Sequence, residues 1–281
     1  MQMNIETSPY FQLIWQEAFG ADEAIASQAG MIHWLENGST VSARPQPLRE
    51  GLKAAEQGMA ERRQRERGPV SLSPMPVVTI EAASLEELRV QLEGYEGCSS
   101  LKQTAMNLVF GQGSAFDPAQ TGSRIMIIGD VPSEDDDRSG LPFSGRAGIL
   151  LDKMLESIGL AREGTYLANM VYWRPPGNRT PTHEEVAACL PFVSRQIALV
   201  RPSHLLCFGG LAVKYLLKSP VGVAKARGKW GTYLPPLAQE GAEGVPCLPT
   251  YHPHFLLDQP RLKRLVWQDL LSFMKETRRA I

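Results

Sequence analysis

Residues 124–132 read R-I-M-I-I-G-D-V-P, and this stretch decides how the rest of the chain is interpreted. Its apolar run, residues 124–128, ends in Gly-Asp, a pattern typical of a buried strand in a parallel sheet. Further strands are predicted at residues 165–171, 204–209 and 245–250. Because stretches with helical spacing separate these strands, we expect right-handed crossovers and a three-layer α/β/α sandwich around a short parallel central sheet.

The helices between the strands carry recognisable start signals. Ser84 followed by Glu87, and Thr182 followed by Glu185, are capping-box patterns that indicate two helix N-termini. Helices are predicted at residues 84–92, 148–158, 182–200, 211–217 and 261–278. They supply the layers that cover the sheet.

The first 83 residues differ in composition from the rest. Helical spacing at residues 10–19 and 21–36 predicts a helical N-terminal extension over residues 1–37. Residues 38–83 are rich in Pro, Gly, Ser and charge, so we expect a flexible linker there. Residues 84–281 then form the main domain.

The composition, with 43% hydrophobic residues, is ordinary for a soluble globular protein. No stretch approaches the ~20 apolar residues of a membrane span, and the first residues lack a secretory signal, so we expect a cytoplasmic protein. Residues 1–137 carry 10 Lys and Arg against 20 Asp and Glu, whereas residues 138–281 carry 19 against 10. A basic C-terminal half fits a phosphate-backbone binder, and it equally fits a solvated surface.

Polar residues and glycines follow the predicted strands. Asp130 comes after the first strand, Asn169 lies near the end of the second, Gly209 follows the third, and His252 follows the fourth. Sheets of this kind bind ligands at the carboxyl ends of their strands. We therefore predict a functional site at this edge of the sheet.

Most of these residues also have a purely structural interpretation. Asp130 can serve as a helix cap or turn residue, and His252 as a hydrogen-bonded surface histidine. Phe143, in the loop G-L-P-F-S-G-R-A-G, can fill the core or stack on a ligand. Asn169 is harder to explain in this way, because a buried amide without partners costs about 1–3 kcal/mol.

Five blocks of sequence resemble family 4 of the uracil-DNA glycosylase superfamily. In chain order they are G-D-V-P-S-E-D-D-D-R-S-G-L-P-F-S-G-R-A-G from Gly129, N-M-V-Y-W-R-P-P-G-N-R-T-P-T from Asn169, C-L-P-F from Cys189, R-G-K-W from Arg227 and T-Y-H-P from Thr250. Their order and spacing make the match specific. The resemblance implies that residues 84–281 are a DNA-repair catalytic domain that hydrolyses uracil from DNA and leaves an abasic site.

The resemblance also implies roles for individual residues. Extruded uracil stacks on Phe143 beside Gly129, while Asn169 reads its polar edge. His252 donates to the negative charge that develops on uracil O2, and Asp130 orients water or stabilises the cationic sugar. DNA contacts are implied for Arg174, Arg179, Arg227, Lys229 and Pro253. The implied partner is uracil-containing DNA, and we expect a monomer that needs no membrane.

Two residues of the first block depart from the family pattern. Asp130 stands where the family usually has Glu, and Ser133 stands where it usually has Gly. These departures leave two alternatives open. One is a catalytically weak homologue that binds DNA, and the other is a glycosylase for another deaminated base.

A third departure concerns the cofactor that the resemblance implies. Family 4 typically carries a [4Fe-4S] cluster on four cysteines, and here only Cys98 and Cys189 match. Leu101 and Trp173 occupy the other two positions. Because such a cluster requires four thiolates, we predict neither cofactor nor metal in this chain.

Overall fold

The computed structural model describes residues 80–113, 124–236 and 243–279. The predicted N-terminal helices and all but the end of the predicted linker lie outside these ranges. Within them, Ala82 is already buried and its carbonyl oxygen accepts a hydrogen bond from Arg195 Nε at 2.8 Å. The packed chain therefore includes the last residues of the segment predicted as linker, and the division into extension, linker and domain stays a prediction.

Five strands form one sheet in the described part of the chain. They are β1 (Ile125–Gly129), β2 (Thr165–Asn169), β3 (His204–Phe208), β4 (Gly231–Tyr233) and β5 (Val245–Thr250), and their order across the sheet is β2-β1-β3-β5-β4. The four predicted strands are confirmed, and they pair in parallel. The sequence does not predict β4, which pairs antiparallel with β5, because three residues are too few to show a strand period.

Helices connect the strands. In the described ranges they are α1 (Leu85–Gly94), α2 (Ser99–Lys102), α3 (Glu134–Ser139), α4 (Gly145–Glu156), α5 (His183–Val200), α6 (Gly210–Tyr215), α7 (Val223–Ala226), α8 (Pro253–Asp258) and α9 (Lys263–Arg279). The predicted capping box of Thr182 and Glu185 is confirmed at the start of α5. At α1, Ser84 accepts from the backbone N–H of Glu87. No helix in these ranges is both long and apolar enough to cross a membrane.

Two apolar layers flank the sheet, because alternate residues of each strand face opposite sides. Met126 and Ile128 belong to the layer that includes α1 and α5, whereas Ile125 and Ile127 belong to the layer that includes α4 and α9. Every residue of β1, β2 and β3 is buried, as expected for strands covered on both faces. The predicted α/β/α sandwich is therefore confirmed, with an antiparallel strand added at one edge.

Candidate active site

The parallel strands end together at one edge of the sheet. Gly129, the last residue of β1, pairs in register with Asn169, the last residue of β2. Phe208 at the end of β3 pairs with Thr250 at the end of β5. The loops that follow these strands therefore leave the sheet at a common edge, where the sequence predicts the site.

Three of the predicted side chains converge on Gly129. A β-carbon on this residue would lie 2.8 Å from Phe143 Cζ and 3.1 Å from His252 Nε2, and it would overlap Asn169 Oδ1. The three side chains come from separate parts of the sequence and meet at the end of β1. Only glycine at position 129 leaves room for all of them.

The Asn169 side chain is the buried polar group of this convergence. It is 1% exposed, and its Nδ2 finds no hydrogen-bond partner in the described ranges. Leaving a buried donor unpaired costs about 1–3 kcal/mol, so a hydrogen-bond acceptor supplied by a bound ligand or water would stabilise this amide. The amide is thus available to read the polar edge of a bound molecule.

The Phe143 ring lies beside this amide donor. It is 3% exposed, and it stacks on the His252 ring with centroids 5.4 Å apart and planes inclined by 15°. It also meets Phe208 edge-on at 6.1 Å. A flat aromatic surface next to an unpaired amide suits a planar ligand with a polar edge.

His252 immediately precedes α8. Its Nδ1 accepts a hydrogen bond from the backbone N–H of His254 at 3.2 Å. An accepting Nδ1 leaves the proton of the neutral ring on Nε2. Burial, with a smaller contribution from His254, lowers the pKa of His252 to about 3. The site therefore contains a neutral N–H donor rather than a cation.

Both carboxylate oxygens of Asp130 accept hydrogen bonds from the first turn of α6. Oδ2 accepts from the N–H of Gly210 and Oδ1 from that of Leu211, each at 2.8 Å. Burial raises the pKa of Asp130 to about 6, although these backbone donors oppose the shift. These two hydrogen bonds favour the interpretation of Asp130 as a helix cap. The carboxylate still has lone pairs that can accept from water, so its predicted catalytic role stays a prediction.

Comparison with known proteins identifies the family. The family model described as the uracil DNA glycosylase superfamily matches residues 116–271. The chain belongs to this superfamily. It is 35% identical to the Type-4 uracil-DNA glycosylase of Thermotoga maritima, over 68% of this chain and 96% of that relative. The resemblance to family 4 found in the five sequence blocks is thereby confirmed.

Two other relatives show how far the similarity extends. The Type-4 uracil-DNA glycosylase of Archaeoglobus fulgidus is 32% identical over 64% of this chain and 86% of its own length. The Type-5 uracil-DNA glycosylase of Pyrobaculum aerophilum is 30% identical over 47% of this chain and 61% of its own length. The similarity to the Type-4 proteins is thus the more extensive of the two.

The Ser133 departure from the family 4 pattern has a local structural reason. Ser133 is the N-cap of α3: its Oγ accepts from the N–H of Asp136 at 3.2 Å, and Asp136 Oδ2 accepts from the N–H of Ser133 at 2.9 Å. Its φ of −79° is open to any residue, so this backbone does not require glycine. Asp136 also accepts from the N–H of Ser144 at 2.6 Å, which ties α3 to the loop of Phe143.

The residues at the cluster positions of family 4 do not fit a [4Fe-4S] cluster. The Cys98 and Cys189 sulfurs lie 3.4 Å apart in the buried layer on the α5 side. Leu101 and Trp173 belong to the same apolar layer, and Lys102 Nζ lies 5.6 Å from the centre of the Trp173 ring. Neither Leu nor Trp ligates iron. The described residues contain no group of three or more His, Cys, Asp or Glu that could hold a metal.

The basic residues implied to contact DNA differ in their surroundings. Arg179 forms a bidentate ion pair with Glu185 at 2.6 and 2.8 Å. Arg174 donates from Nε to Asn178 Oδ1 at 2.7 Å. Lys229 is exposed and has no ion pair in the part of the chain that is described. Lys229 is therefore the basic residue of this set whose side chain is available for a phosphate contact. The DNA contacts themselves stay predictions.

Asp269 of α9 supports the site and is not found by sequence reasoning. It is 2% exposed, and it accepts from Arg227 Nη2 and Thr250 Oγ1, each at 2.6 Å. Thr250 is two residues before His252, so this carboxylate joins the R-G-K-W block to the T-Y-H-P block. Arg227 is thus engaged within the protein, and Pro253, another implied DNA contact, is buried as the first residue of α8.

Proposed function

We propose that this protein removes uracil from DNA by hydrolysing the N-glycosidic bond, the first step of base-excision repair. The observation that carries the proposal is the buried Asn169 amide, which lacks a partner among the described residues and adjoins Phe143 and neutral His252. A uracil extruded from the duplex has a flat ring to stack and a polar edge to be read. Family membership and the Type-4 relatives support the same activity.

Recognition of uracil follows from the polarity of the amide. Asn169 Nδ2 donates to uracil O4, and Oδ1 accepts from the N3–H of the base. Cytosine presents an amino donor and an unprotonated ring nitrogen at these positions, so both hydrogen bonds meet the wrong polarity. A site built on such paired groups discriminates by about 10⁴-fold, because the buried amide is otherwise left unsatisfied.

The chemical step separates charge between the base and the sugar. As the bond from C1′ to N1 breaks, negative charge moves onto uracil O2, and His252 stabilises it by donating from Nε2. The oxygen of a water molecule bonds to C1′, and the proton lost from that water balances the charge of the departing uracil. Asp130, ionised above its pKa of about 6, orients the water or stabilises the cationic sugar.

The proposal includes a cytoplasmic monomer that binds uracil-containing DNA and uses no cofactor. Leu101 and Trp173 support the lack of a cluster, because they occupy two of its four ligand positions with apolar side chains. Lys229 supports a phosphate contact because its side chain is exposed. Light scattering of the purified protein with and without DNA tests the monomer.

A catalytically weak DNA-binding homologue is the second candidate. One observation favours it: the Asp130 carboxylate already accepts from two backbone N–H groups of α6. This candidate predicts DNA binding with a steep dependence on salt and no release of any base. It also predicts that a double Asp130→Glu, Ser133→Gly variant gains activity.

A single panel of substrates tests both candidates. Labelled single- and double-stranded oligonucleotides carry one uracil, hypoxanthine or xanthine, and alkali reveals abasic sites. We expect uracil release, with single-turnover rates lowered about 100-fold or more by His252→Ala or by Asn169→Ala. His254→Ala is the matched control, because it keeps the backbone N–H that binds His252, and its rate should stay within about threefold of the wild type. Unchanged rates in the first two variants contradict the residue assignment, and binding without release of any base selects the second candidate.

A further inference from the structure

The backbone of Phe143 adopts an unfavourable conformation that contacts with neighbouring residues must stabilise. Its φ is 53°, in the left-handed region that bulky L-residues rarely enter. A residue in such a region persists there only when the surrounding structure fixes it, and such residues cluster at functional sites. The ring that stacks on His252 therefore depends on whatever secures its backbone.

Arg162 secures this backbone from the segment between α4 and β2. Its Nη2 donates to the Phe143 carbonyl oxygen at 2.9 Å, and its Nη1 approaches the Pro142 carbonyl oxygen at 3.4 Å. The guanidinium is itself fixed, because Nε donates to Asp152 Oδ1 at 2.7 Å and Nη1 to Gln112 Oε1 at 3.2 Å. A planar fork with five donors can serve all of these acceptors at once, whereas a lysine ammonium cannot.

Gly148 provides the space in which this contact forms. A β-carbon at Gly148 would overlap the Phe143 carbonyl oxygen and would lie 3.2 Å from Arg162 Nη2. The last glycine of the G-R-A-G sequence is thus explained by the approach of the carbonyl and the guanidinium. Two independent features, an arginine and a missing side chain, serve the same backbone carbonyl.

We infer that Arg162 is a positioning residue that holds Phe143 in place to stack on the extruded base. This inference rests on the proposed function and deepens it. The Arg162 guanidinium is largely buried and directs its donors to protein acceptors, so it acts through Phe143 and not on the substrate. Without it, the Phe143 backbone relaxes toward negative φ and the ring moves away from the base.

A double-mutant cycle tests whether Arg162 acts through Phe143. Arg162→Ala should lower the single-turnover rate of uracil release by about 10- to 100-fold, because displacement of a reacting group by about 1 Å has an effect of that size. Affinity for uracil-containing DNA should change less than about threefold, because that affinity comes mainly from the phosphate backbone. In a Phe143→Ala background, Arg162→Ala should have less than about a twofold further effect, because the two residues act as one unit. Full additivity of the two substitutions overturns the inference.

Amide hydrogen exchange provides a readout that does not need activity. Exchange in residues 140–148 should rise in Arg162→Ala and should not change in Arg89→Ala, which removes an exposed ion pair on α1. If Arg162→Ala does not fold, Arg162→Lys takes its place in the cycle and in the exchange measurement. Unchanged exchange in residues 140–148 overturns the inference. A wild-type protein that releases no uracil overturns the proposed function instead, and the exchange result then still decides the role of Arg162.

Discussion

At the scale of single residues, Asp130 and His252 titrate in different ranges of pH. Burial raises the pKa of Asp130 to about 6, whereas burial lowers that of His252 to about 3. The proposed role of Asp130 needs the ionised form, so uracil release should fall as the pH drops below 6, approaching about tenfold per pH unit. His252 stays neutral over this range and contributes no change in rate.

Single-turnover rates between about pH 4.5 and about pH 8 measure this acid limb. Asp130→Asn should lower the rate at neutral pH and give a flat profile, because the titrating group is gone. Protonation of Asp130 does not lower the rate by unfolding the protein. A carboxyl whose pKa is raised by folding stabilises the folded state as the pH falls through that pKa. An acid limb that persists in Asp130→Asn belongs to another group and contradicts the assignment.

The functional role of a residue can be predicted from sequence where its type is unusual for the element in which it lies. Asn169 stands in an apolar strand, His252 lies two residues after another, and both meet at Gly129. Arg162 and Asp269 look like ordinary surface charges, because a turn and an amphipathic helix normally carry such residues. The atoms that give them a role, on Phe143 and Thr250, lie 19 residues away in each case, and only the tertiary fold brings them together.

At the scale of elements, Asp269 joins three parts of the fold. It lies on α9, it pairs with Arg227 at the end of α7, and it accepts from Thr250 at the end of β5. Asp269→Leu should lower the free energy of unfolding by about 3 kcal/mol, because the largely buried Arg227 cation loses its ion-pair partner. Chemical denaturation measures this loss. Uracil release should also fall, because Thr250, two residues before His252, loses the acceptor of its hydroxyl hydrogen bond.

A second variant separates the charge from the packing in this network. The double change Arg227→Met, Asp269→Leu removes both charges and should recover most of the lost stability, because no uncompensated charge remains. Equal destabilisation by the single and double variants would mean that the ion pair has no part in the effect. Arg89→Ala serves as the control for loss of an exposed pair and should cost no more than about 1 kcal/mol.

Elements are predictable from sequence to the extent that their signals are local. The capping box of Thr182 and Glu185 places the start of α5 at the correct residue. The acidic stretch after Pro132 gives no apolar period, so α3 is missed, although Ser133 and Asp136 form a capping box there. The strand β4 is missed for a different reason, since its pairing with β5 depends on a partner that only the folded chain supplies.

At the scale of the whole molecule, the sandwich is predictable because its sheet is covered on both faces. Strands in that position are continuous apolar runs, and three of the four predicted strands are buried at every residue. The convergence of Asn169 and His252 follows from this topology, since the parallel strands end at one edge, whereas Phe143 reaches them from the loop between α3 and α4. The geometry within the site does not follow from it, because the φ of Phe143 is fixed by contacts between distant segments.

The replacement of cluster ligands by apolar residues predicts how the domain is held together. Leu101 is fully buried and belongs to the same layer as Trp173, Cys98 and Cys189, so we expect packing near α2 and α5 in place of metal coordination. Anaerobically purified protein should contain no stoichiometric iron and should show no absorbance band at ~400 nm, and chelators should leave its melting temperature unchanged. Leu101→Ala should instead lower the free energy of unfolding by about 2–5 kcal/mol, because it opens a cavity in a packed layer. Iron at about four atoms per chain would contradict this prediction and would require cluster ligands other than Leu101 and Trp173.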